Sequence, residues 1–327
     1  HKNLEDFIIE TPLENSLSLL NKQFDSSSIK DIQDRWIPFD FKNQHIDEFL
    51  ENLNIDKTVE ISSIRGGYSN AIKQLNKFIK VGYQDYAKYR SDPSKEASSE
   101  LSPYFHSGQI STHEVFEKIS ELEAWSPESI DPKMVGRREG WWGSSDNFES
   151  FMDELITWRE LGYHTCVRRA NYNQYSSLPE WAIKTLHEHS FDEREHIYSL
   201  DELTYSQTHD EIWNAAQNQL RTQGVIQNYL RMLWGKKILE WTPNPQIALS
   251  YMITLNDRYS LDGRDPNSYS GVFWILGRYD RAWGPERNIF GKIRYMTSDS
   301  TARKFNLKPY LEKWGNESLD ITTSISE

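Results

Sequence analysis

The 327-residue sequence contains a single cysteine, Cys166, and no long hydrophobic run. One cysteine cannot form an internal disulfide, and it excludes a zinc ribbon or an iron–sulfur cluster, so we expect a reduced, cytoplasmic protein. No apolar run approaches the roughly 18 residues needed to cross a bilayer, so no membrane association is expected. The glycine-rich motifs GxGxxG and GxxxxGK[ST] are also absent, which argues against a dinucleotide-binding or P-loop fold.

The charge of the chain is unevenly distributed. The formal net charge is −12 at pH 7. Residues 1–60 hold 13 acidic and 6 basic side chains, whereas residues 285–313 hold 7 basic and 3 acidic ones. Because charges are screened within about 8–10 Å at physiological salt, the basic segment can still bind a polyanion.

Helical periodicity dominates from residue 46 onwards, and few segments have the alternation typical of strands. Apolar residues at three- and four-residue spacing predict helices over 69–90, 149–164, 208–224, 231–241 and 244–259. Gly224 is a predicted C-cap, and Asn244 and Pro245 predict a capped helix start. We therefore predict a mainly α fold, with an acidic linker or helical lead-in over 1–60 and one helical domain over 61–327.

Aromatic residues are unusually frequent, at 13% of the chain with 12 tryptophans. Trp234 and Trp241 are seven residues apart, which is close to two helical turns and places both on one face. Trp213, on the preceding predicted helix, can pack near them. Core packing is the commoner explanation for such tryptophans, and electron conduction is the alternative. Within 128–148, Trp141 and Trp142 predict an ordered loop.

Several polar segments are candidate binding sites. The serine-rich segment 97–111 can bind phosphate or simply cap helices, and capping is the commoner role. Glu154 and Trp158 are four residues apart, which suits either a pocket for a flat ligand or a half-exposed helix. The loop over 255–274 holds Asn256, Asp262 and Asp265, which can serve a metal or a polar ring system.

Three histidines, His187, His189 and His196, lie near acidic residues in the segment LHEHSFDEREH. The HExxH pattern is absent there, and the segment is strongly polar. We therefore interpret it as a solvated surface rather than a zinc site.

These segments together resemble a known family. The matching stretches, in order from about residue 70 to 314, are LSPYFHSGQIS, LITWRELGY, EREHIYSLDEL, HDEIWNAAQNQL, YLRMLWGKKILEWT, LNDRYSLDGRDPNSYSGVFW and FGKIRYM. The chain resembles the FAD-binding catalytic domain of the photolyase/cryptochrome superfamily, specifically class II cyclobutane pyrimidine dimer photolyases and their bacterial relatives. The resemblance implies an all-helical fold, an FAD cofactor, and light-driven repair of pyrimidine dimers in DNA by electron transfer from reduced flavin. A cryptochrome-like blue-light photoreceptor without repair activity is the alternative.

The resemblance also implies roles for individual residues. Trp234, Trp213 and Trp241 would relay electrons to the flavin, with Trp241 as the surface-exposed end. The residues implied to bind FAD are Tyr86, Ser98, Ser99, Leu101, Ser102, Arg231, Asn256, Asp262 and Asp265. The residues implied to form the dimer pocket are Glu154, Trp158, Met232 and Trp274, with Glu154 kept protonated by burial, the two indoles flanking the dimer, and Asn256 facing flavin N5. Arg294 and Arg303 would contact DNA phosphates.

The sequence also departs from the family pattern in its N-terminal region and at several single positions. Full-length members carry an N-terminal domain that holds an antenna pigment, and residues 1–60 resemble the linker that follows it. We expect a fragment, a short protein without an antenna, or an antenna on a separate domain or chain, and we expect a monomer. Leu233 replaces a tyrosine common in class II enzymes. Gln227-Asn228 replaces the common HG, and REGWWG is an insertion, so bacterial kin are expected.

Overall fold

The structure is a computed structural model. It describes residues 46–315 apart from 135, 136 and 138, together with residues 30, 34 and 35. Most of the predicted acidic lead-in, residues 1–29, 31–33 and 36–45, therefore lies outside the described residues. No strand is present in the described part of the chain, and the prediction of a mainly α fold is confirmed.

The helices are numbered from the first one whose two ends are described. They are α1 (Ile46–Glu51), α2 (Tyr68–Lys77), α3 (Tyr86–Tyr89), α4 (Ser102–His106), α5 (Thr112–Leu122), α6 (Asp146–Met152), α7 (Arg159–Arg168), α8 (Glu180–Glu188), α9 (Leu200–Thr204), α10 (Glu211–Gln223), α11 (Asn228–Glu240), α12 (Pro245–Tyr259), α13 (Pro266–Ile275), α14 (Ser298–Lys304) and α15 (Lys308–Trp314).

Capping residues explain where several of these helices begin and end. Asp210 accepts hydrogen bonds from the first backbone amides of α10, and Gly224 ends that helix in the left-handed conformation with φ 74°. Asn244 caps α12 with Pro245 at its first position. These caps agree with the sequence prediction, because each satisfies backbone groups that a helix end leaves unpaired.

Two π-helical turns interrupt the predicted helices. One spans Phe78–Gly82 and follows α2 directly, and the other spans Asp153–Trp158 and joins α6 to α7. A π turn holds an extra residue, and such turns are frequent at functional sites. The periodicity of the sequence gives no sign of either turn.

Two groups of buried side chains form the interior. The larger one fills the space among α8 to α15, where α11 packs against α10, α12 and α13. The smaller one lies among α2 to α6 and includes Trp141 and Trp142, which anchor the loop over 128–148 as predicted. The candidate site lies where the two halves meet, since Gln227 at the start of α11 donates to the carbonyl of Arg90 after α3, at 3.0 Å.

The described end of the predicted lead-in contacts the helical body. Asp56 pairs with Arg258 of α12 at 2.9 Å, and Nη2 of Arg258 donates to the hydroxyl of Thr58 at 2.7 Å. This end of the lead-in is therefore held against α12, and the domain boundary at residue 60 stays a prediction. Among the residues that the structure describes, no helix is long and apolar enough to span a membrane.

Candidate functional site

Three of the predicted flavin-binding residues contact one another. Nη1 of Arg231, in α11, donates to Oδ1 of Asn256, in α12, at 2.9 Å. Nη2 of Arg231 lies 3.8 Å from Oδ1 of Asp262, in the loop between α12 and α13. We call Arg231, Asn256 and Asp262 the polar cluster. Its members are largely buried, so their charges are less screened than at a surface.

Asp262 is held in its ionised form. Burial raises the pKa of its carboxyl, but the charge of Arg231 and hydrogen bonds from Ser260 and Ser102 outweigh that effect, and the pKa lies below its usual value. The contact from Ser102 brings the start of α4 to the polar cluster. One predicted phosphate-region serine therefore lies beside the predicted ring-binding residues.

Asp265 extends the polar site along α13. It caps this helix by accepting from the backbone N–H of Asn267 at 2.8 Å. Its second oxygen lies 3.4 Å from Nδ1 of His106, at the end of α4. Asp265 therefore has a structural role as a cap in addition to its predicted role at the cofactor.

The other predicted flavin-binding residues have mixed environments. Ser98 and Ser99 are half-buried, and the carbonyl of Ser99 accepts from Gln74 at 2.9 Å. The side chain of Leu101 is fully buried in the smaller core, so only its backbone is available to a ligand. Tyr86 packs edge-on against Phe151 at 5.4 Å, and burial raises the pKa of its phenol.

Trp158 and Trp274 form a contacting pair, which we call the indole pair. Their ring centroids are 4.5 Å apart. Helices α7 and α13 approach closely because Gly162 has no side chain, and a Cβ there would lie 2.8 Å from the hydroxyl of Ser270. Tyr279 lies against both indoles, at 6.3 and 6.4 Å. The two indoles therefore form one joint aromatic wall, and their contact with a bound dimer stays a prediction.

Glu154 differs from the sequence expectation in its environment. Its side chain is 39% exposed and forms an ion pair with Nη1 of Arg90. The expectation that Glu154 is buried is therefore wrong, because the side chain is partly exposed and paired with a guanidinium. Glu154 and Trp158 both lie in the π turn, where Nε1 of Trp158 donates to Asp153 at 3.1 Å.

The three predicted relay tryptophans lie together, and we call them the tryptophan series. Nε1 of Trp213 donates to the carbonyl of Trp234 at 3.0 Å, and the rings of Trp213 and Trp241 are 5.7 Å apart. Nε1 of Trp234 donates to Oε1 of the buried Gln217 at 2.8 Å. Trp213 therefore contacts both other members of the series.

The expectation that Trp241 is surface-exposed is wrong. Only 2% of this side chain is exposed. Tyr198 and His209 cover its ring at 5.4 and 5.2 Å, and the ammonium of Lys237 lies over it at 5.3 Å. Tyr198 comes from the segment before α9, so spacing along α11 gives no sign of this cover.

The remaining predicted residues lie apart from these groups. Met232 is half-buried against the larger core. Arg294 is exposed, stacks over Trp283 at 4.3 Å, and lies 3.6 Å from Asp280. Arg303 is exposed in the last turn of α14.

Several contacting residues were missed by the sequence analysis. They are Arg90, Tyr198, His209, Gln217, Tyr279 and Trp283. The histidine-rich segment is also more than a solvated surface, because His196 stacks on His209 at 4.0 Å and His189 binds Asp192 at 2.6 Å. Among the described residues there is no metal-binding group of histidine, cysteine and acidic side chains.

Comparison with known proteins places this geometry in context. No family model matches the chain. A deoxyribodipyrimidine photo-lyase of Methanothermobacter thermautotrophicus is 39% identical over 267 residues, which are 82% of this chain and 55% of that protein. The deoxyribodipyrimidine photo-lyase of Potorous tridactylus is 38% identical over 263 residues, 80% of this chain and 46% of that protein. The chain thus spans about half the length of these relatives.

A solved structure shows the same fold. The archaeal photolyase from Sulfolobus tokodaii, determined with two FAD molecules, matches with a TM-score of 0.52 at 17% identity, over 86% of this chain and 53% of that one. At this identity the likeness shows the fold alone, and kinship rests on the sequence relatives at 38% and 39% identity. The chain belongs to the photolyase/cryptochrome superfamily.

The residues of the site fit a flavin. The polar cluster offers a guanidinium and a carboxamide, which suit the carbonyl and nitrogen atoms at the edge of an isoalloxazine ring. On α13, a Cβ at Gly271 would meet no atom within 4 Å, so space is open one turn before Trp274. A flat, polar-edged ligand is the chemistry that these features accommodate.

Proposed function

We propose that this chain is the FAD-binding catalytic part of a class II deoxyribodipyrimidine photo-lyase, which repairs cyclobutane pyrimidine dimers in DNA under blue light. The observation that carries the proposal is the indole pair of Trp158 and Trp274. It offers a joint aromatic wall beside the open space over Gly271. Stacking on aromatic side chains is a common way for proteins to hold unpaired bases.

FAD, when bound and reduced, supplies under blue light the electron that splits the cyclobutane ring. Arg231 and Asn256 would hold the edge of the ring system, and Asp262 would keep Arg231 in place through its negative charge. A preorganised cation in a poorly solvated site stabilises negative charge without reorganising solvent. Tyr86, Ser98, Ser99, Ser102 and the backbone of Leu101 would hold the phosphates and the ribityl chain.

The lesion would pack against the indole pair. Glu154 is within reach as a hydrogen-bonding group, but it must first leave or share its contact with Arg90. A hydrogen bond between Glu154 and the lesion would therefore require a change in the contact between Glu154 and Arg90. Met232 would line the same pocket.

DNA containing a pyrimidine dimer is the proposed partner. Arg294 and Arg281 both stack on Trp283, at 4.3 and 4.4 Å, in the exposed segment after α13. Arg303 adds a further exposed cation in the basic region. Such groups bind phosphates without reading sequence, as a repair enzyme needs. The monomeric state and a separate antenna domain or chain stay predictions of the sequence.

The decisive test is repair of a thymine dimer in an ultraviolet-damaged oligonucleotide by the chain loaded with fully reduced FAD. We expect blue light to restore thymine, and Trp274→Ala to lower the yield at least tenfold. Trp125→Phe, a change in the smaller core, is the matched control and should retain repair. No restoration by protein that binds FAD would refute the proposal and favour a photoreceptor.

A further inference from the structure

Tyr198 and His209 form a hydrogen-bonded pair on top of Trp241. The phenol oxygen of Tyr198 lies 2.6 Å from Nδ1 of His209. The backbone N–H of His209 donates to the same oxygen at 3.1 Å. Because the oxygen already accepts this bond, its own hydrogen is free to point at Nδ1. The backbone N–H of Tyr198 also donates to the carbonyl of Trp241 at 3.0 Å, which fixes the tyrosine against the indole.

The inner members of the tryptophan series have different partners. The indole N–H of Trp234 donates to the side-chain amide of Gln217, and that of Trp213 donates to the carbonyl of Trp234. Amide oxygens are not bases at neutral pH, so neither indole can lose its proton to its partner when it is oxidised. Both rings are buried. A radical cation formed on either of these two residues therefore keeps its proton and can still accept an electron from the next member of the series.

We propose that Tyr198 is the terminal electron donor of the tryptophan series and that His209 is the base that takes its proton. The inference rests on the proposed function and on the electron relay that the family resemblance implies, in which photoexcited, oxidised FAD would draw an electron from the series and leave a radical cation on Trp241. One electron passes from the Tyr198 phenol to Trp241, and the phenolic proton passes to Nδ1 of His209. The products are neutral Trp241, a neutral tyrosyl radical and an imidazolium.

His209 is suited to accept that proton. Burial lowers the pKa of its imidazole below the usual value, which favours the neutral ring, and in the neutral ring Nδ1 can accept the hydrogen bond of the Tyr198 phenol. The neighbouring charged and titratable groups are His196 and Lys237, which lower this pKa further, Asp210 and Glu195, which oppose them, and Glu240, which pairs with Lys237.

The pair also has a route to solvent. A cleft of ≈ 550 Å³ is lined by His196, His209 and Trp241, with Glu195 and Glu240 at its walls. The imidazolium can therefore pass its proton to water after it forms. Once the proton has left, charge recombination requires proton uptake as well as electron return. The tyrosyl radical should consequently outlive a tryptophan radical cation at least tenfold.

The test is transient absorption and electron paramagnetic resonance of the full chain loaded with oxidised FAD after a blue flash. We expect a tryptophan radical cation first, and then a neutral tyrosyl radical whose spectrum narrows when the protein carries ring-deuterated tyrosine. Tyr198→Phe should remove the tyrosyl signal and shorten the radical lifetime at least tenfold. Tyr205→Phe, a change at an exposed tyrosine outside the pair, is the matched control and should change neither.

The outcomes separate the two proposals. A wild-type flash that gives no tryptophan radical contradicts the relay on which this inference rests, whereas the thymine restoration assay tests the proposed function separately. A tryptophan radical without a tyrosyl radical, or a tyrosyl radical that survives Tyr198→Phe, overturns the present inference alone. His209→Asn should likewise remove the long-lived signal, because its side chain is no base.

A second measurement needs no light. A hydrogen bond that the neutral imidazole accepts lowers its pKa, so removing the phenol should raise it. We expect the His209 resonance of the full chain, titrated in the dark by NMR, to show an upward pKa shift in Tyr198→Phe. An unchanged His209 pKa in Tyr198→Phe would show that Nδ1 does not accept the phenol hydrogen bond, and it would overturn the assignment of His209 as the base.

Discussion

Lys236 gives a quantitative test of the interior of α11. Its side chain is fully buried two residues after Trp234, and its ammonium donates to the carbonyl of Ile275. Burial lowers its pKa from 10.5 to about 7, with Arg294 adding to this effect and Asp280 opposing it. The group is therefore partly neutral at pH 7 in the folded chain.

The sign of the pH effect follows from these values. Between pH 7 and 10.5 the unfolded chain binds more protons at this lysine than the folded chain, so stability rises with pH. From pH 7 to pH 9 the contribution of Lys236 should increase by about 2 kcal/mol. Below pH 7 the buried ammonium costs its full desolvation free energy.

The perturbation is Lys236→Met, which keeps an unbranched side chain but removes the titrating group. We expect urea unfolding at pH 7, 8 and 9 to show that the free energy of unfolding of the wild type rises by about 2 kcal/mol relative to that of the variant across this range. Lys184→Met, at a side chain that is 78% exposed, is the matched control and should show no such gain. Parallel pH dependence of wild type and Lys236→Met would refute the reasoning.

Further perturbations test the candidate site. Trp234→Phe should block photoreduction of oxidised FAD yet spare repair by chemically reduced enzyme, and normal photoreduction would contradict the relay. Asp262→Asn should weaken FAD binding about tenfold in a fluorescence titration, since it removes the anion of the polar cluster; an unchanged dissociation constant would place the flavin elsewhere. Glu154→Ala should lower the repair yield without releasing FAD, and full yield would remove Glu154 from the pocket. Arg294→Ala and Arg303→Ala should each reduce the salt dependence of DNA binding by about one unit of slope; an unaltered slope would exclude that arginine from the interface.

The sequence predicted the elements that local chemistry decides. The caps at Asn244 and Gly224 were predictable because each satisfies backbone groups within a few residues. The nearness of Trp213 to Trp241 was predictable in outline, since α10 and α11 follow each other across a short turn. The family resemblance, rather than spacing, assigned Arg231, Asn256 and Asp262 to one site, and their contacts with one another come from the structure.

The features that sequence analysis missed depend on distant segments. Arg90 and Glu154 are 64 residues apart, so their ion pair has no local signal in the sequence. Tyr198 precedes Trp241 by 43 positions in the chain. Because its ring lies against the indole, Trp241 is buried rather than exposed as the sequence analysis expected. Solvent exposure is a property of the assembled fold, and periodicity reports only which face of its own helix a residue occupies.

The π-helical turn Asp153–Trp158 makes the length of this segment as important as its composition. A π turn accommodates one residue more than an α turn, and each residue rotates an α-helix by about 100°. A regular α turn would need one residue fewer between α6 and α7, so a single-residue deletion inside the turn would let the segment close as a continuous helix. The side chains within the turn, Glu154 among them, would then change their positions relative to α6 and α7. Single-residue deletions, which substitution scans never sample, therefore test what the extra residue contributes to this part of the molecule.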